Sequence, residues 1–127
     1  MLNSRLITDL SPSTQAYLTR MQGQAKAAGL EYGVDWVVIS TYRDQELQDK
    51  LYAQGRTEPG KIVTWSLHSY HTSRKAFDVA IKEDGKIVWE SPKYEQLAKV
   101  GRSCGLECGF FWKKRDPGHF QLDEVVG

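Results

Sequence analysis

The stretch Ser69-Tyr70-His71-Thr72-Ser73-Arg74-Lys75-Ala76-Phe77-Asp78 carries a histidine in a polar segment and, seven residues later, an aspartate inside a strand-like run. Successive side chains of a strand point to opposite faces, so Asp78 is expected on the face opposite Phe77, between two alanines. A partly covered carboxylate needs a partner, which can be a cation or an arginine. The stretch alone leaves two interpretations open: His71 and Asp78 are two ligands of a metal site, or a surface histidine and a salt-bridged strand residue.

Composition limits what the chain can be. Its 127 residues suit one domain, and 40% hydrophobic with 26% charged residues is typical of a soluble globular protein. A net charge of +1, with acids and bases interspersed, gives no reason to expect a nucleic-acid partner. No apolar run has the length of a membrane span, and the first residues lack the apolar core of a signal peptide, so we expect synthesis in the cytoplasm and no stable membrane insertion. Cys104 and Cys108 are interpreted as free thiols.

Helices and strands follow from capping signals and periodicity. Three helices are predicted, one from Ser11-Pro12 to about Ala28, one after Asp44 as far as Gly55, and one from Ser91-Pro92 to the Gly101–Gly105 region. Strands are predicted at 34–40, 76–81, 86–89 and 119–122, with a brief one at 62–65. The pattern predicts an α+β fold with a small, mostly antiparallel central sheet, helices packed on one side and the candidate site on the exposed sheet face.

A second segment adds to the possible metal site. In Asp116-Pro117-Gly118-His119 a turn dipeptide separates a carboxylate from an imidazole, and a turn can bring the two together. If His71, Asp78 and His119 converge, they form a three-ligand set that leaves a fourth zinc position open for water, which suits amide hydrolysis. Asp116 is then the nearest spare acid to serve as base, and Arg43 can stabilise a developing oxyanion or bind a substrate carboxylate.

These motifs resemble a known family. Ser69-x-His71 with Ala76-x-Asp78, followed by Asp116-x-x-His119-Phe120-Gln121, is similar to the zinc peptidases that include D-alanyl-D-alanine peptidases and the L-alanyl-D-glutamate endopeptidases of phage endolysins, with a hedgehog-like fold. Thr41-Tyr42-Arg43, then Gln48, the run 51–57 and Pro59-Gly60, resemble the endolysin branch. The resemblance covers most of the chain from about Val34 onward.

The resemblance implies a role for each matching residue. It makes His71, Asp78 and His119 the ligands of one zinc per chain, Asp116 the general base, and Arg43 a contact to substrate or transition state. Ser69 and His68 are expected to lie near the substrate, His68 also being a rival ligand, and Gln121 is expected to orient a ligand from behind. Relatives usually have glycine at the position of Arg74, so this loop is expected either to change its backbone conformation or to carry a new substrate contact.

The function implied is that of a zinc-dependent peptidoglycan hydrolase that cuts the L-Ala–D-Glu bond of the stem peptide, most consistent with a phage or prophage endolysin. A D-alanyl-D-alanine carboxypeptidase and a non-catalytic wall-binding or protein-binding domain of the same fold are the alternatives. We expect residues 1–127 to form one monomeric catalytic domain without a separate wall-binding domain. By analogy with endolysins, it would be stored in the host cytoplasm and reach the wall after holin-dependent release.

Overall fold

An antiparallel sheet with one long central strand organises the molecule. The computed structural model describes residues 2–64 and 69–123. Within these residues the sheet has the strand order β1-β2-β5-β4, and β3 pairs with the far end of β2. The strands are β1 Trp36–Ser40, β2 Ala76–Glu83, β3 Lys86–Val88, β4 Leu106–Cys108 and β5 His119–Leu122. Because β2 contacts β1, β3 and β5, its residues occupy the middle of the sheet.

The helices begin where the capping signals predict. They are α1 Pro12–Ala27, α2 Gln45–Ala53 and α3 Pro92–Ser103. The side chains of Ser11, Asp44 and Ser91 accept hydrogen bonds from backbone N–H groups in the first turns of these helices, which satisfies donors that have no partner inside the helix. Among the described residues, no helix combines the length and the apolar character needed to cross a membrane.

The hydrophobic core lies on one face of the sheet. Phe77, Val79 and Ile81 alternate along β2 and are buried together with apolar residues of α1 and α3. Phe77 stacks on Phe120 of β5, with ring centroids 5.5 Å apart. Asp78 is left on the opposite face, as the alternation predicted. The predicted α+β fold with a small antiparallel sheet is confirmed.

One local prediction was wrong, and one strand was not predicted. Residues 62–64 form no strand, because they make no ladder with a neighbouring strand; residue 65 lies outside the described residues. The third helix ends at Ser103, within the predicted Gly101–Gly105 region. It continues through Gly101, where a Cβ atom would lie 2.5 Å from Phe120 Cε1, so this glycine permits close packing. Gly105, with a φ of +97°, makes the actual turn into β4, which the sequence did not predict.

The two cysteines are free thiols in the core, in agreement with their interpretation from sequence. Each is 3% exposed. Burial raises the pKa of the Cys108 thiol to about 12, and burial also raises that of Cys104. Both sulfurs therefore stay protonated at neutral pH and act as packing groups rather than as nucleophiles.

Candidate metal centre and cleft

His71 lies in a tight turn, and hydrogen bonds hold its backbone N–H and one of its ring nitrogens. Its backbone N–H donates to Ser69 Oγ at 3.1 Å, and its Nδ1 lies 2.7 Å from the carbonyl oxygen of Thr41. A carbonyl oxygen only accepts, so this contact assigns the proton to Nδ1 and leaves a lone pair on Nε2. Nε2 lies 3.2 Å from Asp78 Oδ2 without the alignment of a hydrogen bond. It is one of two buried side-chain polar atoms in the described residues that have no hydrogen-bond partner.

Asp78 occupies the position in β2 where the second imidazole comes closest. The antiparallel register sets Asp78 directly opposite His119 of β5, and Asp78 Oδ1 lies 3.0 Å from His119 Nδ1. Ala76 and Ala80, its neighbours on the same face, are completely buried and leave room beside the carboxylate. The register of two adjacent strands therefore joins residues that are 41 positions apart in sequence.

The outer nitrogen of His119 is also bound to an acceptor. His119 Nε2 lies 2.8 Å from Gln121 Oε1, and the Gln121 amide nitrogen donates to Glu107 Oε2 at 3.1 Å. An ionised carboxylate accepts only, so the amide nitrogen of Gln121 must face Glu107 and its oxygen must face the imidazole. His119 Nε2 therefore carries a proton, and Nδ1 is the nitrogen directed at Asp78.

The charges of this cluster favour a cation at its centre. Burial opposes the ionisation of Asp78, but the hydrogen bond with His119 and the neighbouring His71 hold the pKa of Asp78 well below its usual range. Burial would lower the pKa of His119, yet the hydrogen bond and negative charge of Asp78 raise it overall. Because an ionised carboxylate only accepts, His119 Nδ1, 3.0 Å from Asp78 Oδ1, carries the proton of that hydrogen bond. A bound metal ion would displace that proton, since metal ligands must be deprotonated.

The donor set fits zinc. One ligand atom from each of His71, Asp78 and His119 lies within 4.8 Å of the other two. Two imidazole nitrogens and one carboxylate oxygen, with the outer ring nitrogens held by a carbonyl and an amide, are the ligands and orienting contacts typical of a catalytic zinc site. The partnerless Nε2 of His71 is the observation that most directly calls for a cation.

Asp116 lies beside these ligands, as the turn dipeptide predicted. Its Oδ2 is 3.9 Å from His119 Nδ1, and its side chain is 59% exposed at the mouth of the cleft. The turn is tightly packed at two glycines. A Cβ atom on Gly109 would lie 2.4 Å from the Asp116 carbonyl oxygen, and a Cβ atom on Gly118 would lie 2.4 Å from the Val79 carbonyl oxygen. Desolvation and the charge of Asp78 raise the pKa of Asp116, against the opposing effects of His119, His71 and Arg43.

Arg43 brings a positive charge to the same cleft from the junction between β1 and α2. Its guanidinium donates to Gln48 Oε1 at 2.8 Å, while its buried Nε has no hydrogen-bond partner. Desolvation lowers the pKa of Arg43, against the opposing charges of Asp78 and Asp116, but an arginine side chain stays protonated in proteins. Arg43 therefore offers an unused N–H donor in a partly desolvated position, where an anionic group would be bound strongly.

A cavity of about 760 Å³ contains the cluster, and a second of about 220 Å³ adjoins it. Arg43, Lys114 and Arg115 bring positive charge to the larger cavity, which Trp112 also lines. The smaller cavity is lined largely by apolar and aromatic groups, among them Ile39, Trp89, Tyr94 and Pro117. Asp78 and Asp116 line both cavities, so the smaller cavity extends the cleft next to the candidate metal centre.

Comparison with known proteins identifies the family. Residues 8–123, most of the chain, match the VanY family, described as D-alanyl-D-alanine carboxypeptidase. The chain belongs to the VanY family. This match confirms the family predicted from the histidine and aspartate motifs, and with it the prediction that the chain is a peptidase.

Named relatives come from two activity groups. The peptidoglycan L-alanyl-D-glutamate endopeptidase CwlK of Bacillus subtilis strain 168 is 34% identical over an alignment of 110 positions, which covers 76% of this chain and 66% of CwlK. The L-Ala D-Glu endopeptidase ChiX of Serratia marcescens has a TM-score of 0.72 at 22% identity, covering 91% of this chain and 82% of ChiX. A variant of the D,D-pentapeptidase VanY from a VanB-type resistance cassette, solved with Zn(II), has a TM-score of 0.63 at 18% identity, covering 96% and 78%. These structures share the fold of this VanY-like chain.

Other residues predicted for the site have distinct placements in this VanY-like chain. Ser69 lines the cleft and caps the His71 turn, where its carbonyl oxygen also accepts from Thr72. Gln121 contacts His119, the position expected of an orienting residue. His68 lies outside the described residues, so its predicted roles stay predictions.

Sequence reasoning missed three contributors to the site. The Thr41 carbonyl, which fixes His71, is a backbone group with no sequence signal of its own. The Trp112 ring lies 5.2 Å from that of His119 and forms part of the cleft wall, and Trp112 Nε1 donates to Glu107 at 3.0 Å. Glu107 belongs to the unpredicted strand β4, so its approach to the cleft could be found only after the register of β4 and β5 was known.

Arg74 keeps the backbone conformation that glycine adopts easily. Its φ is +63°, in the left-handed region. The guanidinium lies 3.8 Å from the centroid of the Tyr42 ring and donates to the Asp9 carbonyl oxygen at 2.8 Å, while the Arg74 carbonyl oxygen accepts from Ser11 and Thr14 at the start of α1. Arg74 is not among the residues that line the two cavities. In this member of the VanY family, Arg74 therefore connects the loop between His71 and Asp78 to residues 9–14.

Substitutions at Arg74 should separate backbone strain from side-chain contacts. Arg74→Ala and Arg74→Gly both remove the contacts with Tyr42 and Asp9, but only glycine relieves the left-handed conformation, which costs other residues about 1–2 kcal/mol. We therefore expect the glycine variant to have the larger free energy of unfolding of the two, by about 1 kcal/mol. Urea unfolding of the chelator-treated proteins measures this difference. An alanine variant as stable as the glycine variant would contradict the strained conformation.

Proposed function

We propose that the chain is a zinc-dependent peptidoglycan peptidase that cleaves the stem-peptide amide bond between L-Ala and D-Glu. The proposal rests above all on the convergence of His71, Asp78 and His119 within 4.8 Å, with a buried imidazole nitrogen that has no partner. These three residues would hold one zinc ion per chain. When bound there, zinc would activate a water molecule and polarise the scissile carbonyl.

The residues around the ligands suit amide hydrolysis. Asp116, next to His119 at the cleft mouth, would take the proton of the attacking water and later deliver it to the leaving amine. Arg43, with its unused Nε–H, would bind the negative charge that develops on the carbonyl oxygen or a carboxylate of the substrate. A non-catalytic binding domain is a weaker interpretation, because binding alone requires neither a base beside the ligands nor a partly desolvated arginine facing the same cleft.

The choice of bond rests on one similarity and one feature of the cleft. CwlK, the relative that is 34% identical, carries the name of an L-alanyl-D-glutamate endopeptidase. An endopeptidase needs room for substrate on both sides of the scissile bond, and the two adjoining cavities that share Asp78 and Asp116 would supply that room. The positively charged larger cavity suits the D-Glu side, which carries a carboxylate, and the apolar smaller cavity suits the L-Ala side.

The family description favours a second candidate, a D-alanyl-D-alanine carboxypeptidase. A positively charged cavity would also accept the terminal carboxylate of that substrate. A phage or prophage origin with holin-dependent release is part of our proposal too, and its support is the resemblance of residues 41–60 to the endolysin branch. These possibilities concern which bond is cut and where, and they leave the proposed ligands and base unchanged.

Digestion of peptidoglycan distinguishes the candidates. Purified protein is incubated with peptidoglycan with and without a chelator, and new termini are identified by mass spectrometry. We expect fragments with a new N-terminal D-Glu, absent after chelation and restored by added zinc. Release of free D-Ala would support the carboxypeptidase instead, and a zinc-loaded protein that yields no products would support a binding domain.

A further inference from the structure

Glu107 accepts hydrogen bonds from two residues that lie next to the proposed ligand His119. It lies opposite Gln121 in the register of β4 and β5. Its Oε2 accepts from the Gln121 amide nitrogen at 3.1 Å, and its Oε1 accepts from Trp112 Nε1 at 3.0 Å. Each carboxylate oxygen is therefore engaged by a different donor.

The contact with Gln121 is passed on to His119. With its nitrogen held by Glu107, the Gln121 amide presents its oxygen to His119 Nε2 at 2.8 Å. That arrangement holds a proton on Nε2, so that a metal ion can replace the other proton on Nδ1, which faces Asp78 at 3.0 Å. If the amide were rotated by 180°, its nitrogen would need an acceptor on the imidazole, and the proton of the neutral ring would move to Nδ1, where it would block metal binding.

The contact with Trp112 connects the same carboxylate to the cleft wall. Trp112 lines the larger cavity and its ring is 5.2 Å from the ring of His119. The Glu107 carboxylate thus orients two side chains. One is Gln121, which contacts the proposed ligand His119, and the other is Trp112, which lines the larger cavity. Glu107 itself is exposed and does not line either cavity.

We infer that Glu107 is a positioning residue that selects the metal-binding tautomer of His119 through Gln121. The inference rests on the proposed metal centre, but it concerns a residue that neither binds the metal nor touches the substrate. The proposed role requires Glu107 to provide two hydrogen-bond acceptor oxygens, one for each donor. Two donors, the Gln121 amide and the Trp112 indole, approach it, and an ionised carboxylate accepts from both.

Replacement by glutamine tests this dependence, because glutamine has nearly the same shape but only one acceptor oxygen. In Glu107→Gln one of the two donors must face an amide nitrogen, or the Gln121 amide must rotate. We expect zinc affinity, measured by competition with a chromophoric chelator, to fall about 10-fold or more, as is typical when the partner that orients a ligand is lost. Nitrogen NMR correlation spectra of the zinc-loaded proteins should show the His119 Nε2–H signal of the wild type, and its loss or shift in Glu107→Gln.

A second substitution provides a rescue that a general structural defect would not allow. In the double variant Glu107→Gln/Trp112→Phe the indole donor is gone, so the single amide oxygen can again accept from Gln121. We expect the double variant to recover zinc affinity to within about 3-fold of the wild type, although it still lacks the charge of Glu107. Trp112→Phe alone should retain wild-type zinc affinity.

The controls separate this inference from the proposed function. Glu95→Gln removes a carboxylate of α3 that pairs with Lys99, and it should leave zinc affinity unchanged. A wild-type protein that fails to bind zinc would overturn the proposed metal centre itself. A wild type that binds zinc, together with a Glu107→Gln variant of equal affinity or a double variant as weak as Glu107→Gln, would overturn only the role of Glu107.

Discussion

Replacing His71 with alanine is expected to abolish stoichiometric zinc binding and, with it, peptidoglycan cleavage. The substitution removes one of three proposed ligands, so the loss of zinc affinity should exceed the ~10–100-fold typical of orienting residues behind a ligand. It also leaves the Thr41 carbonyl oxygen without its imidazole donor, at a cost of about 1–3 kcal/mol in the free energy of unfolding. Zinc content after dialysis against a weak chelator, and product formation at saturating zinc, measure the two effects.

His68→Ala is the matched control for this experiment. It removes the same type of side chain three positions away and tests the earlier prediction that His68 is a rival ligand. We expect this variant to bind one zinc ion as the wild type does, with at most a moderate change in KM if His68 contacts the substrate. If His68→Ala lost the metal while His71→Ala kept it, the proposed ligand set would be wrong.

The features that could be predicted from sequence are those encoded by neighbouring residues. Alternation from Ala76 to Ile81 placed Asp78 on the face away from the core, and the cap residues set the starts of the helices. The Pro117-Gly118 turn brought Asp116 within 3.9 Å of the His119 ring. In each case the signal extends over fewer than ten residues, because turns, caps and strand alternation are local properties of the chain.

Contacts that depend on strand register could not be predicted in this way. The pairing of Glu107 with Gln121 requires β4, a strand of three residues that carries too little alternation to be recognised. The contact between His71 and the Thr41 carbonyl joins residues 30 positions apart through a backbone atom. These long-range contacts determine which imidazole nitrogen faces Asp78, and so whether the three side chains can bind a metal at all.

Arg74 illustrates a sequence difference whose consequence only packing could decide. The substitution of a family glycine suggested either a new backbone conformation or a new substrate contact. The structure places no substrate contact there, because the guanidinium contacts Tyr42 and Asp9 and Arg74 lines neither cavity. Its φ of +63° lies in the left-handed region, which glycine adopts easily. The left-handed conformation costs a residue such as arginine about 1–2 kcal/mol, and the contacts of the guanidinium with Tyr42 and Asp9, which a glycine could not make, oppose that cost.

Asp116→Asn should keep zinc and lose turnover. Asparagine preserves the size of the side chain and the backbone hydrogen bonds of the turn, from Asp116 to Gly109 and from His119 to Asp116, so the proposed ligand His119 should stay in place. What disappears is a group that can accept a proton from the attacking water. General acid–base catalysis typically contributes 10²–10⁴-fold, so we expect kcat to fall by about 10²–10⁴-fold at saturating zinc, with KM changed far less.

Two comparisons make this expectation specific to proton transfer. Asp84→Asn changes an exposed aspartate of the β2–β3 turn, whose φ of +53° asparagine adopts readily, and it should alter neither zinc content nor kcat. The charge of Asp116 also acts on His119, so its removal is expected to weaken zinc binding slightly. Measuring kcat at increasing zinc concentrations separates that effect from lost catalysis.

A variant that is fully loaded with zinc and retains wild-type kcat would exclude Asp116 as the base. Arg43, which is protonated and cannot accept a proton, could not replace it, so the base would then have to come from outside the described cleft or from the substrate itself.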